Sequence, residues 1–195
     1  MWNFWKIDLE VTSGFLLLLA WLNYLDQDFL LPMALAACGA HELGHLAAIR
    51  LLGGDIKQIR LTAIGAELVL DRSLGYWQEG AAALAGPGVN LLLALACCGS
   101  RRWTAFAGLN LALALFNLLP AGRLDGGRAL YCTLALLTGQ GAALRICGWL
   151  NWGAAAAILG LGLFTAGFGG NITLLAVAVW LLAGSVKKYL RSKDK

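Results

Sequence analysis

The chain contains 195 residues, of which 59% are hydrophobic and 13% are charged. Soluble domains carry about 25% charged residues, and several apolar runs here approach the roughly 20 residues that a membrane-spanning helix needs. These values exclude an ordinary soluble enzyme, a disordered chain and a water-filled β-barrel. The net charge is +4, but most positive residues flank apolar runs or lie in the C-terminal tail, so no nucleic-acid partner is expected.

The apolar runs predict an all-α polytopic membrane protein with about six transmembrane helices. Between the second and third helices, residues 53–72 mix charges with alternating apolar residues, which predicts a small membrane-associated β element. Pro120 and Gly122 break the fourth helix, and an apolar stretch continues over residues 124–137. Irregular backbone at membrane depth is tolerated only where protein or a water-filled cavity covers it, so this break indicates a packed, functional region. The six predicted segments span about residues 13–24, 29–52, 76–98, 103–119, 146–168 and 172–186.

Positive charges predict the orientation of these helices. The loop after the second helix is basic, and the C-terminal tail carries a second basic cluster, which consists of Lys187, Lys188, Arg191, Lys193 and Lys195. Since basic loops stay in the cytoplasm, both termini are predicted to be cytoplasmic, with the lipid bilayer as a partner. Arg101 and Arg102 fall on the opposite side and run against this scheme.

Both histidines of the chain lie in one pentapeptide, His41-Glu42-Leu43-Gly44-His45. Residues four apart share a helix face, so both imidazoles can reach one metal ion, and Glu42 can touch a water bound to that ion. This HExxH pattern is typical of zinc hydrolases. The alternative is a pair of histidines and a glutamate satisfied by contacts between helices.

Catalytic zinc sites usually have three protein ligands and an open fourth position. Because the chain has no third histidine, the third ligand must be Asp, Glu or Cys. Asp125 is the best candidate, because it follows the helix break and precedes two glycines that let the backbone approach closely. The rivals are Cys38, Glu67 and Glu79.

Three motifs resemble the signature motifs of the site-2 protease family of intramembrane zinc metalloproteases. They are HELGH at residues 41–45, Gly-Pro-Gly-Val-Asn at 86–90, and Asn-Leu-Leu-Pro at 117–120 with Leu-Asp-Gly-Gly at 124–127. The resemblance covers about residues 29–137, the catalytic core of that family, within a single membrane-embedded domain expected over residues 1–195.

The resemblance implies one zinc ion per chain, held by His41, His45 and Asp125, with Glu42 as general base. It implies that Asn90 and Asn117 position substrate or stabilise the transition state. It also implies that the strand-like stretch holds an unwound substrate by strand addition. Apart from the resemblance, Asn23, Asn110 and Asn151 are interpreted as helix-packing residues.

The short layout, with no PDZ-like insertion and no nucleotide-sensing domain, most resembles the sporulation branch of the family, typified by the stage IV sporulation protein FB. The function expected is hydrolysis of a peptide bond within or near the membrane segment of a membrane-associated protein, such as a sigma-factor precursor, in a bacterial cell membrane. An inhibitory or regulatory membrane partner is part of that expectation. The alternatives are a zinc-binding membrane protein without protease activity and a different membrane zinc protease, such as a prenyl-protein endopeptidase.

Overall fold

The computed structural model describes residues 8–26, 28–62, 65–70, 74–122 and 124–167. The predicted sixth membrane segment (172–186), the basic C-terminal tail and Arg72 lie outside the described residues. The chain divides into two compact units, Met1–Leu115 and Phe116–Lys195. A single domain over the whole chain stays a prediction.

The first unit contains three strands and most of the helices. In chain order its elements are β1 (Asp8–Val11), α1 (Ser13–Leu25), α2 (Leu30–Leu51), β2 (Ile56–Thr62), β3 (Gly65–Leu70), α3 (Tyr76–Cys97), a 3₁₀ turn (Arg101–Trp103) and α4 (Thr104–Asn117), whose last two residues belong to the second unit.

The three strands form one sheet in the order β1-β2-β3. Strands β2 and β3 are antiparallel and confirm the β element predicted within residues 53–72. Strand β1 pairs with β2 in parallel, with Glu10 opposite Arg60, and the sequence analysis did not predict it. Four residues are too few to show a strand period, so only the pairing reveals β1. Glu10 Oε2 accepts hydrogen bonds from Arg60 Nε at 2.9 Å and Gln58 Nε2 at 2.8 Å, which ties the two strands side by side.

A polar side chain before each of the helices α1 and α2 fixes where that helix begins. Thr12 precedes α1, where its hydroxyl accepts from the Phe15 amide at 3.3 Å and donates to the Leu61 carbonyl of β2 at 3.0 Å. The two carboxylate oxygens of Asp26 each accept one backbone N–H at 2.9 Å, from Leu30 and Leu31. A carboxylate at this position satisfies orphan donors and complements the positive end of the α2 dipole.

Helices α2 and α3 pack closely because glycine faces the contact. A Cβ on Gly44 would lie 2.9 Å from both the Ala85 carbonyl oxygen and the Val89 Cγ2 atom of α3. At the other end of the pair, Gln78 Nε2 of α3 donates to the Leu52 carbonyl at the C-terminus of α2 at 3.0 Å. Ile49, Ile56 and Ala82 form a buried cluster there, which joins α2, β2 and α3. The two helices are therefore fixed against each other beside the sheet.

The second unit contains α5 (Asp125–Thr138) and α6 (Gln140–Gly167), which pack together. Ala121, Leu124 and Ala155 form its buried cluster. Helix α6 begins six residues earlier than the predicted segment at 146–168, directly after Gly139, whose φ of +81° ends α5. Glycine adopts this left-handed backbone without the steric cost that other residues meet.

The first turn of α5 rests on the backbone of the preceding loop. A Cβ on Gly126 would lie 2.8 Å from the Leu118 Cα atom, and one on Gly127 would lie 2.9 Å from the Gly122 amide nitrogen. Asn151 of α6 supports the same loop, because its Oδ1 accepts the Gly122 N–H at 2.9 Å. The Pro120–Gly122 break is therefore an ordered loop that holds the start of α5.

Replacing Gly127 with alanine is expected to destabilise the protein, because the new methyl group would press on backbone atoms that cannot rotate away. Overpacking of this kind costs about 1–3 kcal/mol, which corresponds to a fall in Tm of roughly 2–10 °C for a chain of this size. Thermal unfolding in detergent measures the effect. Gly148→Ala in α6 is the matched control, since a Cβ there meets nothing within 4 Å. Equal melting temperatures of the two variants would contradict the prediction.

Among the described residues, two helices are long and apolar enough to cross a membrane by length and composition alone, Tyr76–Cys97 and Gln140–Phe164. Helix α1 (Ser13–Leu25) is apolar but shorter. The mostly helical architecture with a small sheet matches the predicted fold class. The predicted number of about six transmembrane helices stays a prediction.

Candidate metal centre

One turn of α2 brings the two histidines together on a single helix face. Their Nε2 atoms lie 3.1 Å apart, and the rings meet edge to face at 86°. Both side chains are buried, with 6% of His41 and 8% of His45 exposed. The i, i+4 spacing of the HELGH motif therefore has the expected result, two imidazole nitrogens that face one point.

The partner of His45 Nδ1 is the backbone carbonyl oxygen of Ala82 in α3, at 2.8 Å. A carbonyl oxygen can only accept, so Nδ1 carries the proton in this hydrogen bond. A neutral imidazole has one N–H, and the Nε2 atom of His45 therefore presents a lone pair.

The partner of His41 Nδ1 is Asn90 Oδ1, at 2.6 Å. The orientation of this amide follows from its other contacts, because Asn90 Nδ2 lies 3.1 Å from the Ala37 carbonyl oxygen. Only the amide nitrogen can donate to a carbonyl, so the oxygen must face His41. His41 Nδ1 is then the donor, and its Nε2 also presents a lone pair.

The two nitrogens thus fit a metal ion. Two nitrogen ligands of a tetrahedral zinc site, each about 2.0–2.1 Å from the ion, lie about 3.3 Å apart, close to the observed 3.1 Å. Lone pairs of neutral imidazoles repel each other at this distance unless a cation lies between them. Hydrogen bonds from the opposite ring nitrogen to carbonyl or amide oxygens are the usual way in which metal-binding histidines are oriented.

Gly86 of α3 provides the space in which the two rings meet. A Cβ at this position would lie 2.7 Å from His45 Cε1 and 2.9 Å from His41 Cε1. Both distances are shorter than side chains tolerate, so any residue other than glycine would displace the imidazoles. The glycine of the Gly-Pro pair at 86–87 therefore has a steric role at the site, which the sequence analysis did not assign.

The remaining predicted site residues occupy element ends and one helix interior. Glu42 follows His41 in α2 and is half-buried. Asn117 is the last residue of α4, and Asp125 is the first residue of α5; both are half-buried. An acidic residue in the first turn of a helix is stabilised by the helix dipole.

His41 and His45 belong to the first compact unit, and Asp125 belongs to the second. All three are residue types that can offer one ligand atom each to a metal ion. Asp125 as the third ligand stays a prediction, with Cys38, Glu67 and Glu79 as the rivals.

The side chain of Asn90 is hydrogen-bonded to three neighbouring residues of the protein. Its side chain is 0% exposed, and both of its N–H groups are used, one on Ala37 and one on Asn110. Its carbonyl oxygen faces His41. Contact of Asn90 and Asn117 with substrate stays a prediction.

Sequence reasoning missed the part of Asn110 in this arrangement. The residue is predicted to pack between helices, and its Oδ1 accepts from Asn90 Nδ2 of α3 at 2.7 Å, while its own Nδ2 donates to the Phe106 carbonyl at 2.9 Å. An amide in an apolar helix was the available signal, since such groups are hydrogen-bonded when buried.

Two comparisons with known proteins bear on this geometry. A solved structure of the site-2 protease from Methanocaldococcus jannaschii matches with a TM-score of 0.70 over 96% of this chain and 93% of that chain, at 24% sequence identity. The two proteins share a fold. A provisionally named zinc metalloprotease from Synechocystis sp. is 38% identical over 117 residues, which cover 54% of this chain and 31% of that protein. The chain thus spans less than a third of that relative's length, and no family model matches it.

Proposed function

We propose that the protein is an intramembrane zinc metalloendopeptidase of the site-2 protease type. The observation that carries the proposal is the pair of histidines whose Nε2 lone pairs face each other 3.1 Å apart, directly beside Glu42. The fold shared with a site-2 protease and the similarity to a zinc metalloprotease support it.

His41, His45 and Asp125 would hold the ion, which is proposed to be zinc on the chemistry of two imidazoles and a carboxylate. Zinc in such a site supplies Lewis acidity, which activates water at neutral pH and polarises a peptide carbonyl. Three protein ligands leave the open position that catalytic sites need.

Glu42 is the proposed general base. Its carboxylate takes the proton of the attacking water and then delivers that proton to the amine that leaves. Metal binding alone does not require a glutamate at this position, whereas hydrolysis does. Burial of the two imidazoles keeps bulk water away and strengthens the electrostatic interactions of the site.

The proposed setting is a bacterial cell membrane that the chain crosses several times, with both termini in the cytoplasm. Apolar helices of membrane-spanning length support a membrane location. Large apolar side chains that are exposed on the described helices, such as Leu17, Leu92 and Trp149, fit contact with lipid, since soluble proteins rarely expose extended apolar patches.

The proposed substrate is a membrane-associated protein, and the finer proposal is a sporulation sigma-factor precursor. A membrane inhibitor or regulator is proposed as a further partner. Because a helical peptide bond is shielded by its own hydrogen bonds, the substrate must be unwound, and an edge strand of the β1-β2-β3 sheet is the proposed place for strand addition.

Removal and return of the metal ion test this function. The full chain is reconstituted in lipid vesicles with a panel of membrane-tethered candidates that includes a sporulation sigma-factor precursor. We expect cleavage that stops when a chelator removes the metal and resumes when zinc is added. Cleavage that persists after the measured metal content has fallen to zero would contradict the proposal. Bound zinc without cleavage of any candidate would favour a zinc-binding membrane protein without protease activity.

A further inference from the structure

A chain of buried hydrogen bonds runs from His41 through α3 to α4. His41 Nδ1 donates to Asn90 Oδ1, Asn90 Nδ2 donates to Asn110 Oδ1, and Asn110 Nδ2 donates to the Phe106 carbonyl. The three distances are 2.6, 2.7 and 2.9 Å. Both asparagines are 0% exposed, so water does not compete for these bonds.

Two backbone carbonyls determine which group donates and which accepts in each of these hydrogen bonds. The carbonyl oxygens of Ala37 and Phe106 can only accept, so each asparagine turns its amide nitrogen toward one of them. Each amide oxygen must then face the preceding donor. The alternative orientation of Asn90 would place its oxygen against the Ala37 carbonyl, where two acceptors would meet.

We propose that Asn90 and Asn110 form a relay that holds His41 in its Nδ1–H tautomer and so commits Nε2 to the metal ion. Asn90 contacts His41, a proposed ligand of the metal ion, and Asn110 is a positioning residue that acts through Asn90. The proposal deepens the proposed function, on which it rests for the identity of the ion, but it concerns the imidazole itself and is measured without any substrate.

His45 provides an internal control for this relay. Its Nδ1 donates to the Ala82 carbonyl, a backbone group that substitutions at Asn90 or Asn110 do not remove. Since the chain contains two histidines, labelling with ¹⁵N-histidine gives signals from these two rings only. The nitrogen chemical shifts distinguish a protonated ring nitrogen from one with a lone pair, and hence report each tautomer.

The experiment compares the full-length wild type with Asn90→Leu, Asn110→Ser and the double variant in detergent micelles. Serine is compatible with the helix at position 110, because its hydroxyl can donate to the carbonyl four residues back. Its side chain is too short to accept a hydrogen bond from Asn90. Asn110→Asp is the conservative control, since burial favours the protonated carboxyl, in which one oxygen accepts from Asn90 and the O–H donates to the Phe106 carbonyl. Spectra are recorded at a pH at which the imidazoles are neutral, before and after zinc is added, and zinc affinity is measured by competition with a chromophoric chelator.

We expect His41 to lose its single tautomer in Asn90→Leu and to populate a mixture in Asn110→Ser, while the His45 signals stay as in the wild type. Loss of an outer partner of a metal ligand lowers metal affinity by about 10–100-fold. We expect zinc affinity to fall about 10-fold in Asn110→Ser and about 100-fold in Asn90→Leu. The double variant should lose no more than Asn90→Leu alone, because Asn110 acts through Asn90. Asn110→Asp should retain the wild-type spectrum.

Three results would overturn the relay. The first is an unchanged His41 tautomer in both single variants. The second is an equal change of His41 and His45, which would indicate general loosening of the helices. The third is a double variant whose loss of zinc affinity is the product of the two single losses. Absence of protease activity in the wild type would count against the proposed function and would leave these spectral results as they are.

Discussion

Replacing Glu42 with glutamine is expected to reduce peptide hydrolysis by about 10²–10⁴-fold, the usual contribution of a general base, with zinc still bound. Glutamine has nearly the same shape, but its amide cannot take a proton from water. The proposed metal ligands His41, His45 and Asp125 are unchanged, so the zinc content should stay at about one ion per chain. Cleavage rate and metal content, measured on the same preparation, test both halves of the prediction.

Glu79→Gln is the matched control for this substitution. It removes one carboxylate from a half-buried position at the start of α3, and Glu79 is not one of the proposed metal ligands. Its activity should equal that of the wild type. If Glu42→Gln cleaves as fast as the wild type, Glu42 is not the general base. If the Glu42→Gln variant loses zinc as well as activity, Glu42 contributes to metal binding.

Replacing Gly86 with alanine is expected to weaken zinc binding and to lower activity with it. The added methyl group would lie 2.7 Å from His45 Cε1 and 2.9 Å from His41 Cε1, and the Nδ1 hydrogen bonds of both rings limit how far they can move away. We expect zinc affinity to fall by at least about 10–100-fold, as for other losses of ligand orientation. Competition with a chromophoric chelator measures the change.

Gly88→Ala separates this steric effect from the general effect of alanine in a helix. Gly88 lies two residues further along α3, and a Cβ there meets nothing within 4 Å. Alanine is the better helix former by about 0.8–1 kcal/mol, so Gly88→Ala should bind zinc normally and melt at the same or a higher temperature. Equal zinc affinities of Gly86→Ala and Gly88→Ala would show that the rings adjust freely and that Gly86 has no special role.

The sequence was sufficient where local rules decide the structure. The i, i+4 spacing of the histidines has one outcome on a helix, so the convergence of their Nε2 atoms could be predicted from five residues. Helix α3, predicted at 76–98, is Tyr76–Cys97, because an apolar run of that length has few other conformations in a membrane. Asp125 could be preferred as a ligand because a carboxylate next to a helix break and two glycines is rarely a packing residue.

The sequence was insufficient where the outcome depends on how helices pack. Gly86 and Asn110 are a small residue and a buried amide, and many such residues occur in membrane helices without any part in a site. Their roles follow from the approach of α2, α3 and α4, which no local pattern encodes. Strand β1 was missed for a related reason, since its partner is about fifty residues away in the chain.

The parallel pairing of β1 with β2 constrains the order in which the protein can assemble during synthesis. Parallel neighbours need a long crossover connection, and here that connection consists of α1 and α2, including the HELGH motif. Strands β2 and β3 can pair as soon as both have left the ribosome, because they are neighbours in sequence. The amino-terminal strand must wait until residue 61 has been made before it has a partner for its last residue. Strand β1 therefore joins its sheet only after the helix that carries both histidines is complete.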